Sequence, residues 1–355
     1  MNRGMTGLLP RAPTLAAESQ LGFYQTVRNF AIRDMFPRVA AQVEVQAASA
    51  GFGEHGALLP TDRIASIADP IPIVGTWKRI MRSQQQASWH IRDSLLADAA
   101  RYEAELDTAE RAYPGRLHYD PAFVTPEYAK CEIHLQPGGY VGDALAGYVF
   151  HHGTKVFYQG LNDQDQLHAL VSDMVRVPSD GIVRRVLDTG CSIGQATTAL
   201  KQRFANAEVW GLDVALPLVR YAHKRATDLG IDVHFMQGLA EATGFPDGHF
   251  DTVLAHILFH EVPEPLFDTI IAEVKRLLRP GGTFTIVDAP NNTQLPVGNR
   301  LWQQFDARYN CEPYALAFVA TDLRAMLERH GFRSIEAGPT PTFLWCTQAE
   351  KPLAT

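Results

Sequence analysis

Two acids and three small residues mark a ligand-binding crevice in the second half of the chain. Asp188 ends an apolar run and is followed by Gly190, Ser192 and Gly194, and Asp213 ends the next apolar run. Small residues let backbone N–H groups approach a ligand that larger side chains would hold away. In a parallel sheet both strand ends open onto one crevice, where an acid suits the hydroxyl groups of a ribose. The pattern therefore predicts a ligand that carries a nucleoside.

The spacing of the small residues argues against a dinucleotide. Gly190, Ser192 and Gly194 lack the final spacing of the fingerprint G-x-G-x-x-G, so NAD is the weaker prediction. Their pattern resembles motif I of class I S-adenosylmethionine (SAM) methyltransferases. The stretches 245–251 and 277–282 resemble the turn into strand four and the corner before strand five of that family. Order and spacing are similar over roughly residues 180–290, and the resemblance implies SAM as cofactor.

The resemblance implies a role for each residue of the loop. Gly190, Ser192 and Gly194 would line the methionine and ribose parts of SAM, with a plain tight turn as the alternative. Asp188 would lie beneath the ligand, near its amino group. Asp213 would accept hydrogen bonds from both ribose hydroxyls, although the same position also suits the N-cap of a helix that starts near residue 215.

The resemblance also implies residues for the adenine end and the carboxylate end of SAM, and at the adenine end this chain departs from the family. Many relatives carry an acid after strand three, where it contacts the adenine amino group, whereas this chain has Leu239. Adenine would pack between Leu239 and Val214 and bond the backbone near Ala240, helped by Glu241; Leu239 could equally be a core residue. Tyr158 would touch the SAM carboxylate.

Histidines follow the fourth strand, where such enzymes place catalytic groups. His256, His260 and Glu261 lie within one short loop. A histidine with a pKa near 6.5 can remove a proton at neutral pH, so His260 with Glu261 forms the candidate catalytic pair, and His256 would lie nearer the sulfonium. The alternative is structural: His256 bonded at a strand end and the pair fixing the next helix. Because the segment continues from a strand, the two histidines need not share a helical face, and no metal site is predicted.

Two segments are candidates for the acceptor pocket. Trp302, Phe305 and Tyr309 belong to an insertion near residues 291–320, which the resemblance places over the acceptor site. Aromatic side chains with a few polar groups suit an aromatic or apolar acceptor. His134 and His152 precede the nucleotide-binding part and are the second set. Ordinary helix packing and a structural connection between domains are the alternatives.

Composition limits the class of protein. The 355 residues are 46% hydrophobic and 20% charged, enough for a sizeable core and two domains. A formal net charge of −7 opposes a protein that grips long nucleic acid by its phosphates. The four cysteines are scattered without a C-x-x-C pair, and we see neither a membrane-spanning run nor a secretory leader. These features predict a cytoplasmic protein with no nucleic acid or membrane partner.

The chain is predicted to divide at a turn cluster before residue 181. Residues 1–178 would form a mainly helical N-terminal domain that acts as lid and dimerisation domain, with helices over 21–48 and 85–112 and a connection over 51–72. Residues 179–355 alternate strands and helices and would form the SAM-binding domain. The fold class is therefore α/β, with a Rossmann-like, mostly parallel sheet that the resemblance makes seven-stranded with an antiparallel last strand.

The function predicted from the sequence is methyl transfer from SAM to a small molecule, by O- or C-methylation of an aromatic or apolar acceptor. A SAM-binding scaffold without transfer activity and a rearrangement assisted by SAM stay open as alternatives. Methylation of RNA or protein is less favoured, because strand four leads into residues 255–258 without an Asn/Asp-Pro-Pro-Tyr/Phe signature. A homodimer is possible.

Overall fold

Helices dominate the first half of the chain. The computed structural model describes residues 3–52, 61–291 and 295–353. A short hairpin of β1 (Met5–Thr6) and β2 (Leu9–Pro10) precedes the helices. These are α1 (Leu15–Phe30), α2 (Phe36–Ser49), α3 (Thr61–Ala68), α4 (Pro72–Ser88), α5 (Ile91–Leu96) and α6 (Ala99–Ala112). After strand β3 (Leu117–His118) come α7 (Ala146–Phe157) and α8 (Gln166–Met174). Residues Ala31–Met35 form a π-helical segment that joins α1 to α2.

Strands and helices alternate in the second half. The strands are β4 (Arg185–Thr189), β5 (Glu208–Asp213), β6 (His234–Gln237), β7 (Phe250–His256), β8 (Leu278–Asp288), β9 (Arg333–Pro339) and β10 (Trp345–Glu350). The helices are α9 (Gln195–Arg203), α10 (Leu216–Asp228), α11 (Pro265–Leu277), α12 (Val297–Tyr309), α13 (Ala315–Ala320) and α14 (Leu323–Arg329). The alternation and the α/β class are as predicted.

One sheet organises the molecule, in the order β3-β6-β5-β4-β7-β8-β10-β9. The strands from β3 to β8 are parallel, and β10 runs antiparallel to both β8 and β9. The prediction of seven strands is wrong by one. The additional strand is β3, which comes from the helical half and pairs Leu117 with Phe235 at the edge of the sheet.

The helical half differs from the prediction in two places. The helix expected over 85–112 is three helices, because the indole of Trp89 turns away at the end of α4 and donates a hydrogen bond to the carbonyl of His134 at 2.7 Å. The connection expected over 51–72 contains α3, while residues 53–60 lie outside the described residues. In the described ranges, no helix is both long and apolar enough to cross a membrane.

The two halves pack through their helices. α6 lies against α10, where Arg220 pairs with Asp107 at 2.7 Å and also with Glu110. α2 lies against α12 so closely that a Cβ on Gly298 would come within 2.3 Å of the Ala40 carbonyl oxygen. This packing places α1, α2 and α12 above the carboxyl ends of the parallel strands. Whether residues 1–178 act as a separate lid and dimerisation domain stays a prediction.

Candidate functional site

A cavity of about 540 Å³ lies where the carboxyl ends of β4, β5 and β7 meet the helices of the first half. Its wall includes many of the residues that the sequence analysis selected: His134, Tyr158, Asp188, Gly190, Ser192, Asp213, Val214, Ala240, His256, His260, Glu261 and Trp302. The cavity is continuous from the loop after β4 to Trp302 of α12. Residues predicted for the cofactor and residues predicted for the acceptor therefore line one space.

Asp213 is oriented by backbone amides. Its Oδ2 accepts a hydrogen bond from the N–H of Ser192 at 2.8 Å, and its Oδ1 accepts one from the N–H of Ala215 at 2.9 Å. Each oxygen keeps a further lone pair for a donor in the cavity. Burial raises the pKa of Asp213 to about 6 even though the amides oppose it. The N-cap of α10 is Ala215, so Asp213 bonds the residue that precedes the helix and does not cap it, contrary to the alternative considered from the sequence.

The loop after β4 needs left-handed backbone at several positions. Gly190 has φ +74°, and a Cβ there would lie 2.9 Å from the side chain of Leu258. Ser192, at φ +50°, adopts the same region without being glycine, which is a strained conformation of the kind found at ligand sites. Gly194 does not line the cavity. A Cβ on it would meet the ring of Phe235 at 2.6 Å, so this glycine allows α9 to start close to β6.

Unpartnered buried atoms around the loop provide a test of whether SAM fits. Four such atoms lack a hydrogen-bond partner: Oδ1 of Asp188, Oγ of Ser192, Nε2 of His256 and Oε2 of Glu241. Burial raises the pKa of Asp188 to about 7, while Thr197 donates to its other oxygen at 2.6 Å. The ammonium, ribose hydroxyls and adenine amino group of SAM are hydrogen-bond donors. The unpartnered carboxylate and hydroxyl oxygens of the protein are acceptors that lack a donor. The residues present therefore fit the cofactor.

Glu241 supplies the acid that the sequence lacked at residue 239. It lines the cavity, and its Oε1 accepts a hydrogen bond from the hydroxyl of Tyr128 at 2.9 Å. Leu239 lies outside the cavity wall and forms an isolated bridge with Ala242. The turn built by that bridge carries the acid two residues further along, so the predicted packing of adenine against Leu239 finds no support here.

His256 ends β7 inside the cavity wall and is fully enclosed. Burial lowers its pKa to about 3, with the nearby ring of His168 adding to the effect. The imidazole is therefore neutral at pH 7. A neutral ring is compatible with a neighbouring sulfonium, whereas a charged one would repel it.

A series of paired acids and histidines lies in and behind the cavity wall. His260 donates from Nδ1 to Asp288, and its Nε2 lies 4.0 Å from Glu312. Glu312 also lies 2.9 Å from Nδ1 of His134, whose Nε2 is 3.4 Å from Glu261. Asp288 comes from the end of β8 and Glu312 follows α12, so distant segments meet here. Glu312 belonged to the predicted insertion, whereas the only sequence signal for Asp288 was its place at a strand end.

The environment of His260 opposes the predicted role as a general base. Burial alone would lower its pKa, but Asp288 and then Glu312 outweigh burial and raise the pKa to about 10. His134 behaves similarly: Glu312 and Glu261 overcome burial and raise its pKa to about 9. Both rings are imidazolium ions at pH 7, and a proton already occupies the site that a base would use. The sequence prediction relied on the unperturbed pKa and missed these carboxylates.

Three of the predicted acceptor-site residues lie outside the cavity wall. Phe305 packs 5.0 Å from the ring of Trp77, and Tyr309 stacks on Phe305 with the amine of Lys78 5.2 Å from its ring centre. His152 is buried in α7, where burial lowers its pKa to about 4. These side chains hold helices together, as the packing alternative anticipated, and the structure gives them no contact with the acceptor space.

The part of the cavity next to Trp302, where an acceptor was predicted, is also lined by residues that the sequence analysis missed. Arg28, Ile32 and Phe36 follow one face from α1 through the π-helical segment into α2. Their spacing of four residues on a helix was a signal that could have identified this face. Phe343 and Trp345 close the opposite side. Among the residues that the structure describes, no group of three or more His, Cys, Asp or Glu side chains is arranged to hold a metal ion.

Residues 186–282 match the family model described as a methyltransferase domain. The chain is 34% identical over 107 residues to demethylmenaquinone methyltransferase of Thermus thermophilus, covering 30% of this chain and 48% of that protein. It is 36% identical over 117 residues to fatty-acid O-methyltransferase of Mycolicibacterium smegmatis, covering 33% of this chain and 41% of that protein. The matches span less than half the length of either relative.

A solved structure gives a weaker likeness. Magnesium protoporphyrin IX methyltransferase from Synechocystis, crystallised with SAH, aligns at a TM-score of 0.36 with 24% identity, over 53% of this chain and 80% of that chain.

Proposed function

Residues 186–282 are a class I SAM-dependent methyltransferase domain, and on that premise we propose that the whole chain methylates an aromatic or apolar small molecule at oxygen or carbon. The observation that carries the proposal is the continuity of the cavity. It joins the oriented carboxylate of Asp213 to a space walled by Ile32, Phe36 and Trp302. Two relatives are named for demethylmenaquinone and for a fatty acid, which supports an acceptor with a large apolar part.

Four residues would hold the cofactor. Asp213 accepts from the ribose hydroxyls, Glu241 accepts from the adenine amino group through its unpartnered Oε2, and Asp188 with Ser192 faces the amino-acid end. When bound, SAM supplies an electrophilic methyl group on a sulfonium sulfur and becomes S-adenosylhomocysteine (SAH) after transfer. The chain's task is to align the acceptor with that carbon–sulfur bond and to exclude water.

The proton of a neutral acceptor would go to Glu261. This carboxylate lines the cavity, its side chain keeps 19% of its exposure, and its Oε1 lies 3.4 Å from both the hydroxyl of Tyr140 and Nε2 of His134. As the acceptor atom bonds to the methyl carbon, its own proton passes to Glu261. His134 and His260 hold protons that fix the carboxylates around them. An acceptor that is already anionic needs no base.

Calorimetric titration with SAM and SAH tests the proposal. We expect both to bind with micromolar affinity, and Asp213→Ala to weaken SAH binding about 100-fold, because two hydrogen bonds to a charged oxygen pair are lost. Asp232→Ala is the control, since Asp232 is an exposed carboxylate paired with Arg116. An acceptor screen with radiolabelled methyl-SAM then follows. Absence of binding by the native chain would refute the proposal, and wild-type affinity in Asp213→Ala would refute the role of that carboxylate. Cytoplasmic location and a homodimer stay predictions.

A further inference from the structure

Arg28 is a buried cation in the wall of the acceptor space. It lies in the last turn of α1, just before the π-helical segment, and only 4% of its surface is exposed. π-helical turns inserted between α-helices are frequent at functional sites. Here the turn carries Ile32 and leads to Phe36, which line the cavity with Arg28.

The guanidinium is held by neutral groups. Its Nε donates to the carbonyl of Phe157 and one terminal nitrogen donates to the side-chain oxygen of Gln85, each at 3.2 Å. The guanidinium carbon lies 4.5 Å from the centre of the Phe157 ring. Within residues 3–52, 61–291 and 295–353, no carboxylate lies within 4.0 Å of it, and its second terminal nitrogen has no hydrogen-bond partner. Burying an unpaired cation is costly, and a bound anion would offset that cost.

The charge of Arg28 survives burial. Burial lowers its pKa to about 10, while Asp306 and Glu312 act in the opposite direction through space. The side chain is therefore charged at pH 7 but lacks a contacting counter-ion. Arginine presents donors in a planar fork that matches a carboxylate, so its free edge is suited to that shape.

Asp306 of α12 shares the cavity wall with Arg28, and its protonated form would not compete with a bound anion. Burial together with Glu312 raises its pKa well above the usual range. A protonated carboxyl donates its O–H. The carboxylates of Glu312, Asp288 and Glu261 make their ion pairs with His134 and His260 in a cluster of their own, and not with Arg28.

We propose that Arg28 binds an anionic head group, a carboxylate by shape, on an otherwise apolar acceptor. The inference rests on the proposed function and names the class of acceptor. The apolar remainder would lie along Ile32, Phe36, Trp302 and Phe343, which form the wall beyond Arg28. An acid of this kind carries the charge that complements Arg28 and the hydrocarbon that fills the rest of the space.

Two probes of equal chain length isolate the head group. Decanoate and decan-1-ol are titrated calorimetrically into the full chain, with and without saturating SAH. We expect decanoate to bind at least about tenfold more tightly than decan-1-ol. Arg28→Met should weaken decanoate binding about tenfold or more and leave decan-1-ol within about twofold. Arg28→Lys should recover part of the loss, because it keeps the charge without the fork.

Arg38→Met is the matched control, since Arg38 is an exposed arginine of α2 outside the cavity wall. It should leave both probes unchanged. Equal binding of the two probes by the native chain, binding of neither, or an equal loss for both in Arg28→Met would overturn the inference. SAH binding separates this result from the proposed function. A native chain that binds no SAH refutes the methyltransferase. A native chain that binds SAH but does not distinguish decanoate from decan-1-ol refutes only the head-group site.

Discussion

Glu261 lies between Asp213 and the buried histidines His134 and His260. Its charge helps to raise the pKa of Asp213 on one side, and its Oε1 lies 3.4 Å from His134 on the other. We expect Glu261→Gln to lower turnover of an alcohol acceptor about 100-fold, because the amide cannot take a proton. SAH affinity, measured by calorimetry, should be unchanged.

The neighbouring Glu264 provides a control for that variant. It is exposed at the start of α11 and outside the cavity wall, so Glu264→Gln should keep full turnover. Undiminished turnover of an alcohol by Glu261→Gln would remove the carboxylate from the reaction.

His260 makes stability depend on pH in the alkaline range. Its pKa is about 10 in the folded chain, owing mainly to Asp288 acting against burial, and about 6.5 when unfolded. The contribution of His260 to the free energy of unfolding is fully present below pH 6.5, and it is lost as the pH rises through 10. From pH 7 to pH 10 the free energy of unfolding should therefore fall by roughly 3–4 kcal/mol more in the native chain than in His260→Gln. Urea titrations at both pH values measure this difference.

Part of the alkaline loss should persist in that variant, because the pKa of His134, about 9, makes the same contribution. His330→Gln, which alters a histidine that pairs with Asp268 near the surface, should behave as the native chain does. Identical pH dependence in His260→Gln and the native chain would show that Asp288 does not stabilise the charged ring.

The sequence identified many of the cavity's residues but not their protonation. Asp188, Gly190 and Asp213 are local to a strand–loop–helix pattern, so spacing along the chain was enough to place them. The pKa of His260 depends on Asp288 and Glu312, which come from other elements, and no local pattern reports that meeting. Arg28 is far along the chain from the strand–loop–helix pattern. It reaches the cavity only because α1 packs over the sheet, so no local pattern could identify it.

At the scale of elements, α12 is seated on α2 by a close backbone contact. Gly298 donates its N–H to Glu44 at 2.7 Å, and a Cβ there would lie 2.3 Å from the Ala40 carbonyl oxygen. Gly298→Ala should push α12 away from α2 and lower the free energy of unfolding by roughly 1–3 kcal/mol. Because the loop after β4 does not belong to α2 or α12, SAH binding should persist. Chemical unfolding and calorimetry measure the two effects.

Gly75 offers the opposite case for comparison. It is an exposed residue within α4, and a Cβ there would meet nothing within 4 Å. Gly75→Ala should stabilise the chain by about 0.5–1 kcal/mol, through helix propensity alone. If Gly298→Ala were as well tolerated as Gly75→Ala, the close packing of α2 and α12 would be wrong.

Prediction of elements succeeded where the pattern was local. Strand β5 has the predicted bounds Glu208–Asp213, and the antiparallel last strand is as the family resemblance implied. The continuous helix over 85–112 was wrong, since Trp89 bonds the carbonyl of His134 and the chain turns there. Apolar spacing carries across such a break, because Trp89 at the end of α4 faces the same core as α5 and α6, so periodicity alone did not reveal it.

At the scale of the whole molecule, the helical half covers apolar surface of the sheet-bearing half. Leu218 and Tyr221 of α10 share a buried cluster with Tyr102 and Leu106 of α6. A chain lacking residues 1–110 should expose that surface, bind a hydrophobic dye and aggregate. Size-exclusion chromatography with dye fluorescence measures this. A monodisperse, active truncated chain would contradict both the shared core and the predicted lid.

The order of strands sets an order of assembly during synthesis. Strand β9 precedes β10 in the chain, yet among the described strands it joins the sheet only through β10. A growing chain therefore gains β4, β5 and β7, the strands proposed to hold the methyl donor, well before the strand that brings Trp345 to the cavity. A chain stalled before β10 would therefore carry the strands proposed for the methyl donor and the cavity wall from α1 and α2, while the side of the cavity that Trp345 lines would still be missing.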